Sequence, residues 1–340
     1  MITYLYQAEE TLIDAALSFT RGLSAGVFRT NEALTYKKKA ALLDWFELLS
    51  VSLPPEIGLH ELIDTLKQGM DEISQKHENL KLVVGKHQMP EQNWQSCAKS
   101  TKPFFCGFWK LLHIMSVGFA EQAGGLALRD ASPSIRVFSA KQAADVVREY
   151  MTHFFPCTHC VQRFVAKYDD CSYQRCHRLS DATDDATAES WQEFPLWLWE
   201  VHNDVSKSIS SDEINADATK IGRKAEDKQW EQKMQIQYPH IEQCNACYTA
   251  DATWNLVAVY NHLENEYWTL GHEVEENVDN FLEYNGGTHN YFTWLHYLMI
   301  FVIVLLAVAS TKKFRVRATG RHKKDDTATV DRFPRKYRNS

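Results

Sequence analysis

The chain has 340 residues, 44% of them hydrophobic, enough for one large core or two small ones. Its formal net charge of −7 divides unevenly: residues 311–340 hold 11 Lys/Arg against 3 Asp/Glu, and the first 310 hold 26 against 41. A body that acidic argues against nucleic-acid binding as the main function and leaves the basic tail to be explained separately.

Taken in chain order, the first 75 residues read as helices. Leu42, Trp45, Phe46 and Leu49 fall at i, i+3, i+4 and i+7, and Pro54-Pro55 closes that element. Leu59, Leu62, Ile63, Leu66 and Met70 repeat the pattern. This stretch contains no cysteine and a single histidine, His60, expected as a surface or cap residue. A second block, residues 92–270, predicts helices over 107–122, 139–154 with Ser139 as N-cap, 157–168, 195–209 and 253–268. Polar connectors at 179–190 and 210–229 read as surface loops. The apolar runs LKLVVG (80–85) and IRVFS (135–139) are too short to build a sheet. The expected fold class is all-α: a small bundle over 92–270 preceded by a helix-rich unit over 1–91.

Residues 271–290 read as a linker. Residues 291–310 then hold no Asp, Glu, Lys or Arg. A helix of that length spans about 30 Å, the thickness of a bilayer core. TKKFRVR follows at once, as a cytoplasmic stop-transfer flank would, with Tyr291, Trp294 and Tyr297 where interfacial aromatics are expected. The expectation is a single-pass membrane protein of the secretory pathway (Golgi or cell surface), its body lumenal or extracellular and 311–340 a cytoplasmic tail. The start MITYLYQAEE lacks the basic and apolar regions of a signal peptide, so a truncated N-terminus is expected.

An oxidising compartment suits the eight cysteines, which form four close pairs: Cys97 and Cys106, Cys157 and Cys160, Cys171 and Cys176, Cys244 and Cys247. Cys157 and Cys160 stand at i and i+3 on the first turn of a predicted helix, where its dipole lowers thiol pKa and enriches the nucleophilic thiolate. That suits a redox-active pair, although a structural disulfide or half a zinc site shows the same spacing. The zinc reading would recruit Cys244 and Cys247 across a gap of 83 residues, far longer than compact zinc modules use. The other histidines, including His153, His177, His240 and His262, lack metal-ligand spacing and are expected as surface or packing residues.

Four fragments occur in order: CGFWKLLHIMSV (106–117), YMTHFFPCTHC (150–160), LWLWEVHNDVSKSI (196–209) and YPHIEQCNACY (238–248). Together they resemble the Erv/ALR flavin-linked sulfhydryl oxidases, and more closely the quiescin type, whose fragments read W-K-L-x-H, F-F-x-C-x-x-C, L-W-L-W-x-x-H-N-x-V-N and W-P-x-x-x-x-C-x-x-C. The resemblance covers nearly the whole chain from about Tyr6 to Tyr297 and lacks the family's thioredoxin part. It implies a helical bundle that holds FAD and oxidises protein or small-molecule dithiols to disulfides, reducing molecular oxygen to hydrogen peroxide. Cys157 would exchange with the dithiol and Cys160 would lie against the flavin. Lys102, Trp109, His113, His202, Asn203, Val205, Ser206, Lys207 and Tyr238 would bind the cofactor. Cys97–Cys106 and Cys244–Cys247 resemble the family's structural disulfides, whereas Cys171 and Cys176 match nothing in the motifs and are expected as a local disulfide or as a relay to Cys157. A helix-rich block before the oxidase part implies a monomer.

The chain departs from the pattern at named positions. Ser206 replaces the second Asn of H-N-x-V-N, Ser208 a basic residue, and Tyr238 the Trp of W-P. His159 and Arg163 occupy the Glu and His positions of C-x-E-C-x-x-H. The alternative reading is a flavin-free helical domain of the same descent, with a structural or interaction role.

Overall fold

The computed structural model describes residues 2–28, 32–87, 93–129, 132–183, 186–221, 237–251 and 253–268. The expected linker, membrane span and basic tail lie outside the described residues. Among the described residues twelve α-helices follow in order: α1 (Ile2–Gly26), α2 (Tyr36–Ser52), α3 (His60–Gln68), α4 (Met70–Ile73), α5 (His77–Lys86), α6 (Pro103–Glu121), α7 (Leu126–Arg129), α8 (Ala140–Phe154), α9 (Thr158–Asp169), α10 (Arg175–Arg178), α11 (Ala188–Ile221) and α12 (Leu256–Tyr267). No strand occurs among the described residues, only an isolated bridge between Tyr248 and Trp254. The all-α expectation holds.

α6 is the axis of the body. It is apolar and long enough by composition to cross a membrane, but Gly107, Phe108 and residues 111–119 are buried in protein. α1, α2, α11 and α12 all pack on it. Two glycines of α6 permit close approaches: a Cβ at Gly118 would lie 1.9 Å from the Ser52 carbonyl oxygen at the end of α2, and one at Gly107 2.5 Å from the Asp14 carbonyl oxygen of α1. One continuous apolar cluster results, from Phe19, Trp45 and Phe46 through Phe119 to Trp197 and Trp199. Asp14, fully buried, fastens the chain before α6 by accepting from the backbone N–H groups of Gln95 (2.7 Å) and Cys97 (2.8 Å).

Two expectations need correcting. The helix expected over 195–209 begins at Ala188, with Pro195 in its interior, and runs to Ile221 through part of the expected loop at 210–229. Proline lacks the N–H of the helix ladder, but Trp191, Phe194 and Trp197 are buried at 5%, 0% and 0% exposure and hold both sides of the turn in the core. Residues 210–221 contain no Pro or Gly, so nothing local stops the helix. The run at 80–85, expected to build no sheet, lies within α5 and bears that expectation out.

Candidate redox site

The α8–α9 junction places the first thiol pair. Ser139 caps α8 through a capping box, accepting from the Gln142 N–H while Gln142 accepts from the Ser139 N–H. Pro156 drives Phe155 out of the helical region (φ −70, ψ 127) and ends α8. The Phe155 ring then anchors on α6, 4.7 Å from Phe108 and 5.6 Å from Phe105. This fixes Cys157, two residues on, as the N-cap of α9, its Sγ accepting from the Cys160 N–H at 3.2 Å. Cys157 and Cys160 form a disulfide (2.06 Å), both half-buried and packed on the core. A thiolate released at the Cys157 position meets an amide N–H and the positive end of a 12-residue helix.

α6 and α11 present a second constellation. The Trp109 and His202 rings stack with centroids 4.0 Å apart and planes 11° from parallel. The His202 Nδ1 lies 2.8 Å from the His113 Nε2, one ring donating and the other accepting. His113 stacks in turn on Tyr267 of α12 at 5.1 Å, and Tyr238 tilts against His113 at 6.1 Å. Asn203 clamps Tyr238 by its backbone: Nδ2 donates to the Tyr238 carbonyl (2.7 Å) and Oδ1 accepts from the Tyr238 N–H (2.9 Å). The Trp199 Nε1 donates to the same carbonyl at 2.6 Å. Burial lowers His113 to about 4, and burial with the neighbouring His113 holds His202 well below the ordinary histidine value. Both rings are therefore neutral near pH 7, one supplying the N–H and the other the lone pair of the shared bond. Burial, with Tyr267 and Glu266 nearby, raises the Tyr238 hydroxyl.

Five of the expected cofactor residues thus converge: Trp109, His113, His202, Asn203 and Tyr238. Val205 and Ser206 are half-buried on the next turn of α11, Lys207 is exposed there, and Lys102 is the exposed N-cap of α6. The α9 and α11 helices are joined by Arg163 Nη1 donating to Ser208 Oγ (2.7 Å) and by a Lys167–Asp204 ion pair (2.7 Å). Two of the departures from the family pattern therefore meet each other.

Sequence reasoning missed the α12 side of this cluster. His262, expected as a surface or packing residue, pairs with Glu266 at 3.3 Å. Burial pushes the Glu266 carboxyl up, but His262, Tyr238 and His113 outweigh it and the net position is lowered. The only sequence signal was the i, i+4 spacing of His262 and Glu266, common on any helix.

All three other close pairs are disulfides: Cys97–Cys106, Cys171–Cys176 and Cys244–Cys247. The first ties the 3-10 turn Ser96–Lys99 to the start of α6, and the last closes the turn Asn245–Cys247 with Cys247 buried. Cys157–Cys160 and Cys244–Cys247 are each closed on themselves, which leaves neither pair as thiolates to share a metal.

The ring cluster is where FAD, which the motif resemblance implies, would sit. His113 Nδ1 is buried without a hydrogen-bond partner. Flat aromatic faces with one uncommitted ring nitrogen fit a planar heteroaromatic group such as the flavin or adenine part of FAD.

Residues 106–234 match the Erv1 / Alr family model. Sulfhydryl oxidase 1 of Cavia porcellus is 24% identical over 183 residues, covering 52% of this chain and 24% of the relative. Sulfhydryl oxidase 1 of Gallus gallus is 27% identical over 185 residues (52% of this chain, 20% of the relative), and that of Oryza sativa subsp. japonica 25% over 194 (54% and 30%). The chain therefore spans 20% to 30% of the length of these relatives. Among solved structures, the sulfhydryl oxidase fragment of human QSOX1 superimposes with a TM-score of 0.52 at 21% identity, covering 75% of this chain and 93% of the fragment. The helical body has the fold of that fragment, and residues 106–234 are similar to the Erv1 / Alr family model.

Proposed function

We propose that the protein is a thiol oxidase that accepts electrons from dithiols at Cys157–Cys160, with FAD held by the ring cluster on α6, α11 and α12. One observation carries the reading: a half-buried disulfide capping α9 is fastened, through α9–α11 bridges, to the helix that bears His202 and Asn203. The sulfhydryl oxidase relatives support it.

The chemistry of the chain's own residues follows from this placement. A substrate thiolate attacks the Cys157 Sγ, the bond to Cys160 breaks, and Cys160 departs as a thiolate. The substrate's second thiolate then attacks its own sulfur in the mixed disulfide and expels Cys157 as a thiolate, which the Cys160 N–H and the helix terminus stabilise. The substrate leaves as a disulfide, and the cysteine pair holds its two electrons. Bound FAD would accept that electron pair and return it to oxygen, giving hydrogen peroxide. Trp109, His113, His202 and Tyr238 would provide its aromatic walls, and Lys102 and Lys207 lie on the helices from which a cation can reach phosphate. Oxygen consumption with dithiothreitol tests the reading: the chain should turn over and the Cys160→Ser protein should not. A wild-type chain that consumes no oxygen contradicts it.

A flavin-free bundle is the second reading. It is favoured by the two bonds Asn203 spends on the Tyr238 backbone and by the Arg163–Ser208 bridge, which commit polar groups the family pattern directs to the cofactor. The proposed setting is lumenal or extracellular, with 291–310 as the anchor and the chain a monomer. The setting rests on the charge and hydropathy pattern of the C-terminal segment and on the four cysteine pairs, and the monomer on the helix-rich block over 1–91.

A further inference from the structure

The disulfide Cys171–Cys176 belongs to neither constellation and follows the last turn of α9. Cys171 (φ +53), Tyr173 (φ +56) and Gln174 (φ +57) all adopt the left-handed region, unfavourable for residues with a Cβ. Three such residues in one short loop store backbone strain that ring closure holds in place. Cys176 is exposed and Cys171 half-buried.

Arg175 is the second feature. Its side chain is buried (7% exposed), with Nε donating to the Tyr168 carbonyl at 3.0 Å and the guanidinium 3.7 Å over the Tyr168 ring. Nη2 then faces both sulfurs, 3.2 Å from the Cys176 Sγ and 3.7 Å from the Cys171 Sγ. A permanent cation at that range stabilises a thiolate on either cysteine and makes each a better leaving group.

A relay to Cys157 within one chain does not follow. Cys160 lies in the first turn of α9 and Cys171 just past its other end, on the order of 15 Å apart along its axis, whereas exchange requires sulfur contact. The loop is also fastened, by Trp197 Nε1 to the Ser172 carbonyl (3.2 Å) and Arg178 Nη1 to the Tyr173 carbonyl (3.0 Å).

We propose that Cys171–Cys176 is a second exchangeable disulfide, open to external thiols at the Cys176 sulfur and independent of the Cys157–Cys160 pair. The external thiolate attacks the Cys176 Sγ, the S–S bond breaks, and Cys171 departs as a thiolate beside Arg175. A second external thiolate attacks the external sulfur of the mixed disulfide and expels Cys176. The reagent leaves as its disulfide, and the two cysteines retain its two electrons and, on neutralisation, two protons. Exchange with an external disulfide runs the same steps backwards, so the loop follows the thiol–disulfide balance around it with no other oxidant.

Glutathione is the probe. The 340-residue chain is equilibrated in buffers of graded reduced and oxidised glutathione, acid-quenched, alkylated and mapped by mass spectrometry, with Cys97–Cys106 as internal reference. Cys171–Cys176 should open at a ratio of squared reduced to oxidised glutathione at least about tenfold lower than Cys97–Cys106, with the transient adduct on Cys176. Opening at the same ratio as Cys97–Cys106, or an adduct confined to Cys171, overturns the proposal. In a folded Arg175→Gln protein, exchange should slow by about tenfold, and an unchanged rate removes the guanidinium from the mechanism. The wild-type series decides the proposal whether or not that variant folds.

Discussion

The two CxxC pairs share a spacing and a Cα–Cα separation of 5.3 Å, yet they sit in different surroundings. Cys157–Cys160 caps a 12-residue helix, with both residues half-buried and an amide N–H directed at the Cys157 Sγ. Cys244–Cys247 closes a 3-residue 3-10 turn that has no side-chain cap bond, with Cys244 half-buried and Cys247 fully buried. A short turn has no macrodipole of consequence, and a buried sulfur is closed to an attacking thiolate. The spacing is common to both; the element that follows the first cysteine differs, and on the proposed function that difference assigns exchange to the first pair and a structural clasp to the second.

The widest separation between the two should come from serine substitutions. Cys160→Ser should lower thiol-oxidase turnover by about a thousandfold or more, because the electrons then have no second sulfur to occupy. Replacing Cys244 and Cys247 together should leave turnover within about threefold and cost about 2 kcal/mol of stability, as expected for a very short closed loop. Equal losses in a turnover assay would break the comparison.

pH should act through the ring cluster. His113 lies near 4 in the fold and near 6.5 when unfolded, so below pH 6.5 the unfolded chain takes up a proton that the core refuses. Stability is full above about 6.5 and falls as pH drops towards 4, by about 3 kcal/mol from His113, with His202 acting in the same direction. Urea unfolding at pH 7 and pH 4.5 measures this, and a His113→Gln protein should show a flatter profile.

Asn203→Ala sharpens the link between the two regions, because it frees Tyr238, which begins the segment leading to the Cys244 turn. Losing its two backbone bonds should cost about 2 kcal/mol by thermal or chemical unfolding. The smallest effect belongs to Ser139→Ala. Loss of the α8 capping box, upstream of Cys157, should cost about 1 kcal/mol and leave turnover unchanged.

The parts of the site legible in the sequence are those written in local chemistry. Ser139 with Gln142, the proline before Cys157 and the i, i+3 cysteines each specify their structure within four residues. The four ordered fragments carried Trp109, His113, His202, Asn203 and Tyr238, which the fold gathers from two helices and a loop. What escaped is set at a distance. Burial of Trp191, Phe194 and Trp197 carries α11 through Pro195, overriding a local stop signal. Glu266 and His262 join the cluster only because α12 packs on α6. The strain and charge around Cys171–Cys176 depend on left-handed residues and on Arg175 folding back over Tyr168, which no spacing announces.

A visible absorption spectrum of the purified chain, produced in an oxidising compartment and then titrated anaerobically with dithiothreitol, tests the central claim most directly. The account predicts a bound-flavin band that bleaches with the thiol in the wild type. In the Cys160→Ser protein the band should persist without bleaching. A folded, colourless protein, or a band that bleaches equally well without Cys160, would contradict electron transfer from this disulfide to a flavin in the ring cluster.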